Sequence, residues 1–457
     1  MRVLIVFDAD IVVRHFVMSG VFHDLVAAHD VTFAFLDPSH KRMGPVRPEA
    51  LDLAGAPYEL IQPDPYRIRL WAELFSIDRL RLRPGRQHRA NRYFQWHAIG
   101  RKARLIYQTL ALPGLRQAFG WLQRRRLARH PNTELEGLLA RTCPDIVIHP
   151  CVLNGLFIND LIAMCRERGV PCVTVMNSWD NPATKQAMVG SPDLLPVWGE
   201  QSERHAMAYM GMAPASIRRF GAAQFEVYRK PPRLDRAAFC AAHGIDPTSR
   251  ILLYAGSSKE TDEFGHLQAI EDLIDSGRLT GTAVIYRPHP WGDGGRGGHR
   301  LLDHPWRHVR IERSMIAYLE QVKAGNREKT LPDYRDTRDL LCHIDALVSP
   351  LSTIILEAAL LGHPVMCFVP RDEWKEAEHL RIAAPSVHFD AMYRMPGVIV
   401  TDSRQAMLDR LPDLMAKAAD PDLAAALRKA TEFVVAPFEE PWGRRLVDLV
   451  EELGARR

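Results

Sequence analysis

The feature that most constrains this chain is an alternation of short apolar runs with amphipathic stretches, which occurs twice along the sequence. The first series begins at 2–7, continues through an amphipathic stretch at 14–28, and returns to apolar runs at 31–36, 145–149 and 170–176. Short apolar runs that alternate with helical patterns predict parallel strands joined by crossover helices. This part of the sequence therefore predicts an open α/β domain.

A second series of the same kind follows the segment 228–233, whose two prolines disfavour helix and fit an extended connection. Its apolar runs lie at 250–255, 283–286, 308–312, 346–348 and 364–369. The sequence therefore predicts two Rossmann-like domains, at 1–230 and 231–435. Trp442, Leu446 and Leu449 recur at helical spacing in the last segment, 436–457, which predicts a C-terminal helix that packs back on the protein.

The composition is that of an ordinary folded protein rather than a disordered, collagen-like or membrane-spanning chain. Hydrophobic residues make up 47% of the sequence and charged residues 25%. No apolar run reaches the roughly 18 residues of a membrane span, and the apolar start at 3–7 is too short for a signal peptide. The seven cysteines form no Cys-x-x-Cys pair. These features predict a cytoplasmic protein.

Positive charge is concentrated at about 66–130, where fifteen arginines and one lysine are accompanied only by Glu73 and Asp78. Leucines and aromatic residues such as Trp121 are interleaved with these cations. The pattern predicts a basic helical insert in the first domain that binds an anionic membrane surface or a phosphorylated acceptor. The alternative is a solvated helical face whose arginines pair with carboxylates elsewhere. Nucleic acid would fit the charge as well, but we do not expect it as a partner.

The residues that follow each predicted strand are the candidate site, because open α/β sheets bind ligands beyond the carboxyl ends of their strands. In Tyr286-Arg287-Pro288-His289-Pro290, two prolines fix the backbone around His289. Arg287 and His289 are suited to hold a phosphate through charge-assisted hydrogen bonds, and His289 could also give a proton to it. A second group, whose small residues let backbone amides approach a ligand, consists of Gly256, Ser257 and Ser258.

Ser352 and Thr353 stand where a helix is predicted to begin, and Ser352 is a natural N-cap. The amides and the positive dipole end of such a helix favour a phosphate. Glu357 lies within this otherwise apolar helix, where a buried carboxylate requires a polar partner. A ribose diol would supply one; the alternative is plain capping with Glu357 on an exposed flank.

One group of polar residues in the first domain follows the strand at 170–176. Asp180 in this group is a candidate catalytic base. Candidate contacts to an acceptor are Trp179, Asn181 and Lys185. The alternative is a structural loop in which Asp180 and Asn181 make local turn bonds.

A competing group follows the first strand. Asp8 and Asp10 end this strand, and Arg14 and His15 begin the next helical stretch. Asp10 is the second candidate base, and Arg14 is a further candidate acceptor contact. Spacing alone does not choose between Asp10 and Asp180.

On Tyr-Arg-Pro-His-Pro at 286–290 and Ser-Pro-Leu-Ser-Thr-x-x-x-Glu-Ala at 349–358, the chain resembles bacterial GT-B glycosyltransferases of surface-polysaccharide assembly. It looks like the group that joins the capsule Kdo transferases, the GT-B sialyltransferases and the CDP-glycerol glycerophosphotransferases. The resemblance implies two Rossmann-like domains facing each other across a cleft, with His289, Ser352 and Thr353 at the donor phosphate. The loop 178–185 is similar to one in a related set of polysaccharide glycosyltransferases.

The resemblance implies a metal-independent enzyme without a cofactor that moves a sugar from a nucleotide-activated donor to a lipid-linked or polysaccharide acceptor. Its place would be peripheral, at the inner face of the cell membrane. Glu357 corresponds to the ribose-binding carboxylate of UDP- and GDP-sugar enzymes, which the sialyl and glycerol groups often lack, so the donor base stays open. The alternatives are a nucleotide-sugar 2-epimerase, a CDP-glycerol glycerophosphotransferase, and a glycan- or lipid-phosphate-binding protein without catalysis.

Overall fold

The computed structural model describes residues 1–257, 261–292, 298–326, 330–373 and 383–455. The chain divides into two units, and each has its own parallel sheet. Unit 1 comprises Met1–Glu226 and Val434–Arg457, and unit 2 comprises Val227–Phe433. The predicted fold class, α/β with two Rossmann-like domains, is confirmed.

The sheet of unit 1 has five strands in the order β3-β2-β1-β4-β5. They are β1 (Arg2–Phe7), β2 (Asp30–Leu36), β3 (Tyr58–Ile61), β4 (Ile146–Cys151) and β5 (Cys172–Met176). A short parallel pair, β6 (Leu195–Val197) and β7 (Ile217–Arg219), adjoins β5 through the bridge between Val173 and Leu194. Because the chain runs outward from β1 to β3 and then returns to β4, the strand order reverses between β1 and β4.

Helices connect these strands and also form the insert. They are α1 (Asp10–Phe16), α2 (His23–Ala28), α3 (Pro65–Arg79), α4 (Arg86–Ala98), α5 (Arg101–Leu110), α6 (Leu115–Arg129), α7 (Thr133–Thr142), α8 (Ile158–Arg168) and α9 (Glu200–His205). The prediction of one helix over 14–28 is wrong, since α1 and α2 are separated at Gly20, whose φ is +76°. Gly169, with a φ of +63°, ends α8 as predicted.

A buried ion pair fastens α3 of the insert to α8. Arg67 Nη2 lies 2.6 Å from Asp160 Oδ1, and the two side chains are 8% and 2% exposed. Trp71 Nε1 and Asn132 Nδ2 donate to the same carboxylate at 2.7 and 2.8 Å. With its oxygens occupied by charged and neutral donors, the carboxylate tolerates burial and holds the insert in place.

The sheet of unit 2 has the order β10-β9-β8-β11-β12-β13, which reverses between β8 and β11. Its strands are β8 (Arg250–Ala255), β9 (Thr282–Arg287), β10 (Val309–Ile311), β11 (Ala346–Ser349), β12 (Val365–Phe368) and β13 (Val398–Thr401). Its helices are α10 (Arg236–His243), α11 (Glu263–Asp275), α12 (Ile316–Lys323), α13 (Tyr334–His343), α14 (Ile354–Leu360), α15 (Arg404–Lys417) and α16 (Pro421–Thr431).

The last helix, α17 (Trp442–Ala455), belongs to unit 1 and packs against α2. Trp442 is 1% exposed and anchors it through edge contacts with Phe16, Phe22 and Phe220, at centroid distances of 5.7, 6.5 and 5.2 Å. Among the helices of the described ranges, none combines the length and the apolar composition needed to cross a bilayer.

We expect Asp160→Ala to lower the free energy of unfolding of unit 1 by about 3–5 kcal/mol, because it leaves the buried Arg67 guanidinium without its counter-ion. Asp78→Ala is the matched control, since Asp78 is 48% exposed and pairs with Arg81, Arg83 and Arg116 at the surface. Its loss should cost less than about 1 kcal/mol. Urea unfolding compares the two variants, and equal losses would contradict the role assigned to Asp160.

Candidate functional site

Arg287, at the carboxyl end of β9, is a buried cation that lacks a counter-ion among the described residues. It is 4% exposed, and its Nη2 donates to Thr337 Oγ1 in α13 at 2.8 Å. Its Nη1 has no hydrogen-bond partner within the described ranges, and no described carboxylate pairs with it. A buried charge in this state costs free energy unless an anion neutralises it. The arrangement is suited to hold an anion.

Glu357, in the middle of α14, is 7% exposed and accepts a hydrogen bond from the Tyr228 hydroxyl. Burial raises the pKa of Tyr228 well above its usual value, the Glu357 carboxylate raises it further, and the charge of Arg287 lowers it. The electrostatic coupling places Tyr228 near both predicted donor residues. Glu357 is therefore buried as predicted, and a hydroxyl group is its partner.

The buried carboxylate of Glu263, the first residue of α11, accepts hydrogen bonds from the loop that follows β8. Its Oε1 accepts from the Ser257 amide at 2.6 Å and from Thr261 Oγ1 at 3.0 Å, and its Oε2 accepts from the Tyr286 hydroxyl. A Cβ at Gly256 would overlap the Glu263 carboxylate. The Ser257 amide is thus engaged within the protein, and Ser258 lies outside the described residues.

His289 lies in the loop after β9, close to the loop after β8. The Gly256 amide donates to the Arg287 carbonyl at 2.8 Å, and a Cβ at Gly292 would lie 2.6 Å from the Ser257 carbonyl. The Trp291 amide donates to His289 Nδ1 at 3.1 Å. In the neutral ring the proton is then on Nε2, which is the atom able to donate to a ligand oxygen.

The prediction that Ser352 caps a helix is wrong. The helix α14 begins at Ile354, and Thr353 occupies the position before it with helical backbone angles of −64° and −26° and no side-chain capping bond. Ser352 contributes its carbonyl instead, which accepts from the Ile355 amide at 3.3 Å. This bond between residues three apart closes the first turn, so backbone groups replace the serine hydroxyl.

The loop after β5 in unit 1 is internally bonded through Asp180. Its carboxylate accepts from Asn181 Nδ2 at 3.0 Å and from Thr184 Oγ1 at 3.2 Å, and it pairs with Lys185 Nζ at 3.1 Å. Asn181 Oδ1 in turn accepts from the Ser178 amide at 2.9 Å. These local bonds match the alternative in which this segment is a structural loop. To act as a base, Asp180 would have to break some of them.

Two of the predicted acceptor contacts in this loop are interior. Trp179 is 2% exposed and Asn181 is fully buried, whereas Lys185 is half-exposed. The insert holds the loop from outside, because Arg79 donates to the Thr184 and Gln186 carbonyls. Burial lowers the pKa of Arg79 to about 10. Lys185 is therefore the most exposed of the three predicted acceptor contacts in this loop.

The group after β1 is also covered. Asp10 is 3% exposed, its Oδ1 accepts from the Ile11 amide at 2.7 Å, and a Cβ at Gly44 would lie 2.8 Å from its Oδ2. Arg14 and His15 are 9% and 8% exposed. Burial, with the charge of Arg14, lowers the pKa of His15 to about 3, so this ring is neutral at physiological pH.

Tyr228 and Glu263 shape the site in unit 2, and sequence reasoning did not select either. Tyr228 stands beside the prolines of the predicted connection, a context that gives no sign of a site. Glu263 could have been suspected, because it is an acidic residue at a helix start just after a candidate loop. Its carboxylate binds the loop after β8 rather than the amides at the helix start, and only the folded structure shows this.

No protein-family model matches the sequence, and no curated protein matches it. Solved structures do match over the whole chain. A Listeria monocytogenes protein provisionally assigned as a UDP-N-acetylglucosamine 2-epimerase is 9% identical, with a TM-score of 0.56 and coverage of 100% of this chain and 97% of the other. The S. aureus protein MnaA in complex with UDP is 10% identical, with a TM-score of 0.52 and coverage of 99% and 96%.

A glycotransferase of kitacinnamycin is 12% identical, with a TM-score of 0.50 and coverage of 99% of this chain and 98% of the other. At these identities the similarities establish a shared fold, the two Rossmann-like domains of GT-B proteins, and nothing about the reaction.

Proposed function

We propose that this chain is a glycosyltransferase that moves a sugar from a nucleotide-activated donor to a lipid-linked or polysaccharide acceptor in cell-surface glycan synthesis. The observation that carries the proposal is Arg287, a buried cation at a strand end whose Nη1 lacks a partner among the described residues. A donor phosphate supplies the missing counter-ion. The UDP bound in the S. aureus structure of similar fold is consistent with such a ligand.

In this proposal His289, Ser352 and Thr353 contact the donor phosphates beside Arg287, and Glu357 binds the ribose. The Tyr228 hydroxyl would then occupy the place of a ribose hydroxyl until the donor binds. The departing phosphate is stabilised by Arg287 and by a proton or hydrogen bond from His289. The motifs at 286–290 and 349–358 favour the group of Kdo, sialyl and glycerol-phosphate transferases. In unit 1 the candidates to take the acceptor proton are Asp180 and Asp10.

We expect Arg287→Met to weaken binding of the preferred nucleotide among CMP, CDP, UDP and GDP by about tenfold or more, because a charge-assisted hydrogen bond is lost. Arg278→Met is the matched control, since Arg278 is 51% exposed and pairs only at the surface with Asp409. Isothermal titration calorimetry measures both variants together with His289→Ala. Unchanged affinity in Arg287→Met, or a wild-type chain that binds none of the four, would refute the donor site.

The unfolding midpoint distinguishes a ligand-binding role of Arg287 from a structural role. Removing a buried cation that has no counter-ion among the described residues should leave the unfolding midpoint of Arg287→Met unchanged or raise it. A lower midpoint together with weaker binding would instead indicate that Arg287 supports the fold.

The transferase proposal predicts that UDP-N-acetylglucosamine incubated with the chain alone is recovered unchanged or hydrolysed to nucleotide and free sugar. Proton NMR of the products distinguishes the epimerase alternative, because inversion at the sugar C2 without an acceptor would overturn the proposal. Incubation with CDP-glycerol and a glycan acceptor tests the third enzyme class. Transfer of glycerol phosphate breaks the pyrophosphate and releases CMP.

The basic insert is the part of the chain that we propose to meet the acceptor. Its arginines fall into two sets, one bonded within unit 1 and one exposed. Arg67 and Arg79 of α3 make their ion pair and hydrogen bonds within unit 1. The helices α5 and α6 and the turn between them instead expose large apolar side chains: Leu105 73%, Ile106 59%, Leu112 54%, Leu115 46%, Trp121 60% and Leu122 38%. Exposed cations lie among them at Arg101, Arg124, Arg125 and Arg129. Apolar residues surrounded by arginines suit an anionic lipid surface.

We expect the chain to bind vesicles of phosphatidylglycerol and phosphatidylcholine, and to bind pure phosphatidylcholine weakly, with binding that falls as salt rises. The double substitution Leu105→Glu with Ile106→Glu should lower the partition coefficient more than about tenfold, since each side chain is worth roughly 1.5–3 kcal/mol when buried. Leu234→Glu, at a 40% exposed leucine in unit 2, is the control. Equal sedimentation with both vesicle types would remove the membrane role.

A further inference from the structure

Two fully buried titratable side chains lie where the strand order of unit 1 reverses. Asp8 directly follows β1, and His149 lies in β4, beside Val6 of β1 in the ladder that pairs Ile5 with Ile148. Both Asp8 and His149 are 0% exposed. The reversal point of an open α/β sheet is where such folds bind ligands, so the chemistry of this pair bears on function.

Each of the two side chains has one polar atom that is satisfied and one that is not. His149 Nδ1 donates to the Val6 carbonyl at 2.8 Å, which leaves Nε2 as a lone-pair acceptor. Asp8 Oδ2 accepts from the Leu156 amide at 2.6 Å. Among the described residues, neither His149 Nε2 nor Asp8 Oδ1 has a hydrogen-bond partner. Arg42 Nη2 approaches Asp8 Oδ1 only to 3.7 Å.

Gly155 covers the two side chains. A Cβ at this position would overlap Asp8 Oδ2 and lie 3.5 Å from His149 Nε2, so no larger residue fits there. Gly155 itself is half-buried, and Asn154 beside it is exposed. Leu153 in the same segment has a φ of +57°, a conformation that bulky residues rarely adopt. The segment that covers Asp8 and His149 therefore consists of a glycine close to a residue with a strained backbone.

Two neighbouring acceptors that lack hydrogen-bond donors among the described residues suit a ligand that brings donors. A divalent cation would need further protein ligands, and within the described ranges no group of three histidine, cysteine or carboxylate side chains is arranged to hold one. A hydroxyl group is neutral and small, and it donates one hydrogen bond. Sugars carry adjacent hydroxyls, which suit the Asp8 carboxylate and the His149 Nε2 acceptor because both lie beside Gly155.

We propose that Asp8 Oδ1 and His149 Nε2 bind hydroxyl groups of a sugar ligand in unit 1, and that His149 accepts the proton of the hydroxyl that reacts. The binding site stands on the geometry of the pair, whereas the proton transfer rests on the proposed function. His149 would then be the base in place of Asp180, which is bonded within its loop, and Asp10, which is covered by Gly44.

In the transfer step, the acceptor oxygen forms a bond to the donor sugar carbon while the bond from that carbon to the phosphate oxygen breaks. The electron pair of the broken bond leaves with the phosphate, and the hydroxyl proton moves to His149 Nε2. Asp8 stabilises the resulting imidazolium. Burial lowers the pKa of His149 and Asp8 raises it, with Arg42 opposing Asp8, so the ring begins the step in its neutral form.

The hydroxyl site is tested on the full chain with isotope-labelled histidine, and the His149 ring signals are identified by comparison with His149→Gln. The probes are the methyl glycosides of glucose, galactose and N-acetylglucosamine. We expect the free protein to show a neutral His149 ring protonated on Nδ1, and at least one probe to shift its Nε2 signal. A ring that no probe shifts, including one bonded to an ordered water only, overturns the proposal.

Three variants separate binding from folding. Asp8→Asn and Gly155→Ala should abolish the probe response, Asp8→Asn by removing an acceptor and Gly155→Ala by filling the space above the pair. Asp8→Asn should keep the unfolding midpoint, whereas a purely structural role predicts a lower midpoint with an unchanged probe response. His243→Gln is the matched control, because His243 in unit 2 also bonds a carbonyl through Nδ1 and has no described partner at Nε2.

The proton transfer is tested by the pH profile of kcat/KM with the donor that calorimetry selects. The wild-type rate should fall as the pH drops below the usual range of histidine, and His149→Gln should lose that acid limb and about 10²–10⁴ in rate. An unchanged profile in His149→Gln overturns the assignment of the base. Nucleotide binding by His149→Gln should equal that of the wild type. A defect in nucleotide binding therefore bears on the donor site at Arg287 and not on the assignment of the base.

Discussion

The strands of both main sheets pair in parallel, and this constraint sets the positions of the candidate groups that follow the strands. The carboxyl ends of parallel strands meet at one edge, and the strand order reverses at one point along it. That point lies between β1 and β4 in unit 1 and between β8 and β11 in unit 2. Both faces of such a sheet are covered, so the strand ends are where it offers polar groups to a ligand.

The buried polar groups at these edges are of two kinds. Asp160 and Glu263 have donors on their carboxylate oxygens, and each fastens one part of a unit to another. Arg287 and the pair of Asp8 and His149 keep an atom without a partner among the described residues. Groups of the first kind stabilise the fold, whereas a group of the second kind costs stability unless a ligand supplies the missing partner.

Strand positions were largely predictable, because buried parallel strands are nearly continuous apolar runs: β1 and β8 have the predicted bounds. The edge strand β3, Tyr58–Ile61, is mostly exposed and lacks that signal. The helix predicted over 14–28 is two helices, because the apolar pattern does not register the turn at Gly20. For the site, the sequence selected Arg287 and Glu357, but it missed Tyr228 and gave no reason to prefer His149.

The sequence by itself determined the α/β class and the strand ends that carry polar residues, since both follow from local periodicity. Only the tertiary structure decided which of those residues are engaged within the protein. Trp179 and Asn181 are interior, Asp180 is bonded to its own loop, and the arginines of the insert divide between buried contacts and an exposed surface. The physical reason is that a hydrogen-bond partner distant in the chain leaves no trace in local sequence, so whether a polar atom is satisfied is a property of the folded protein alone.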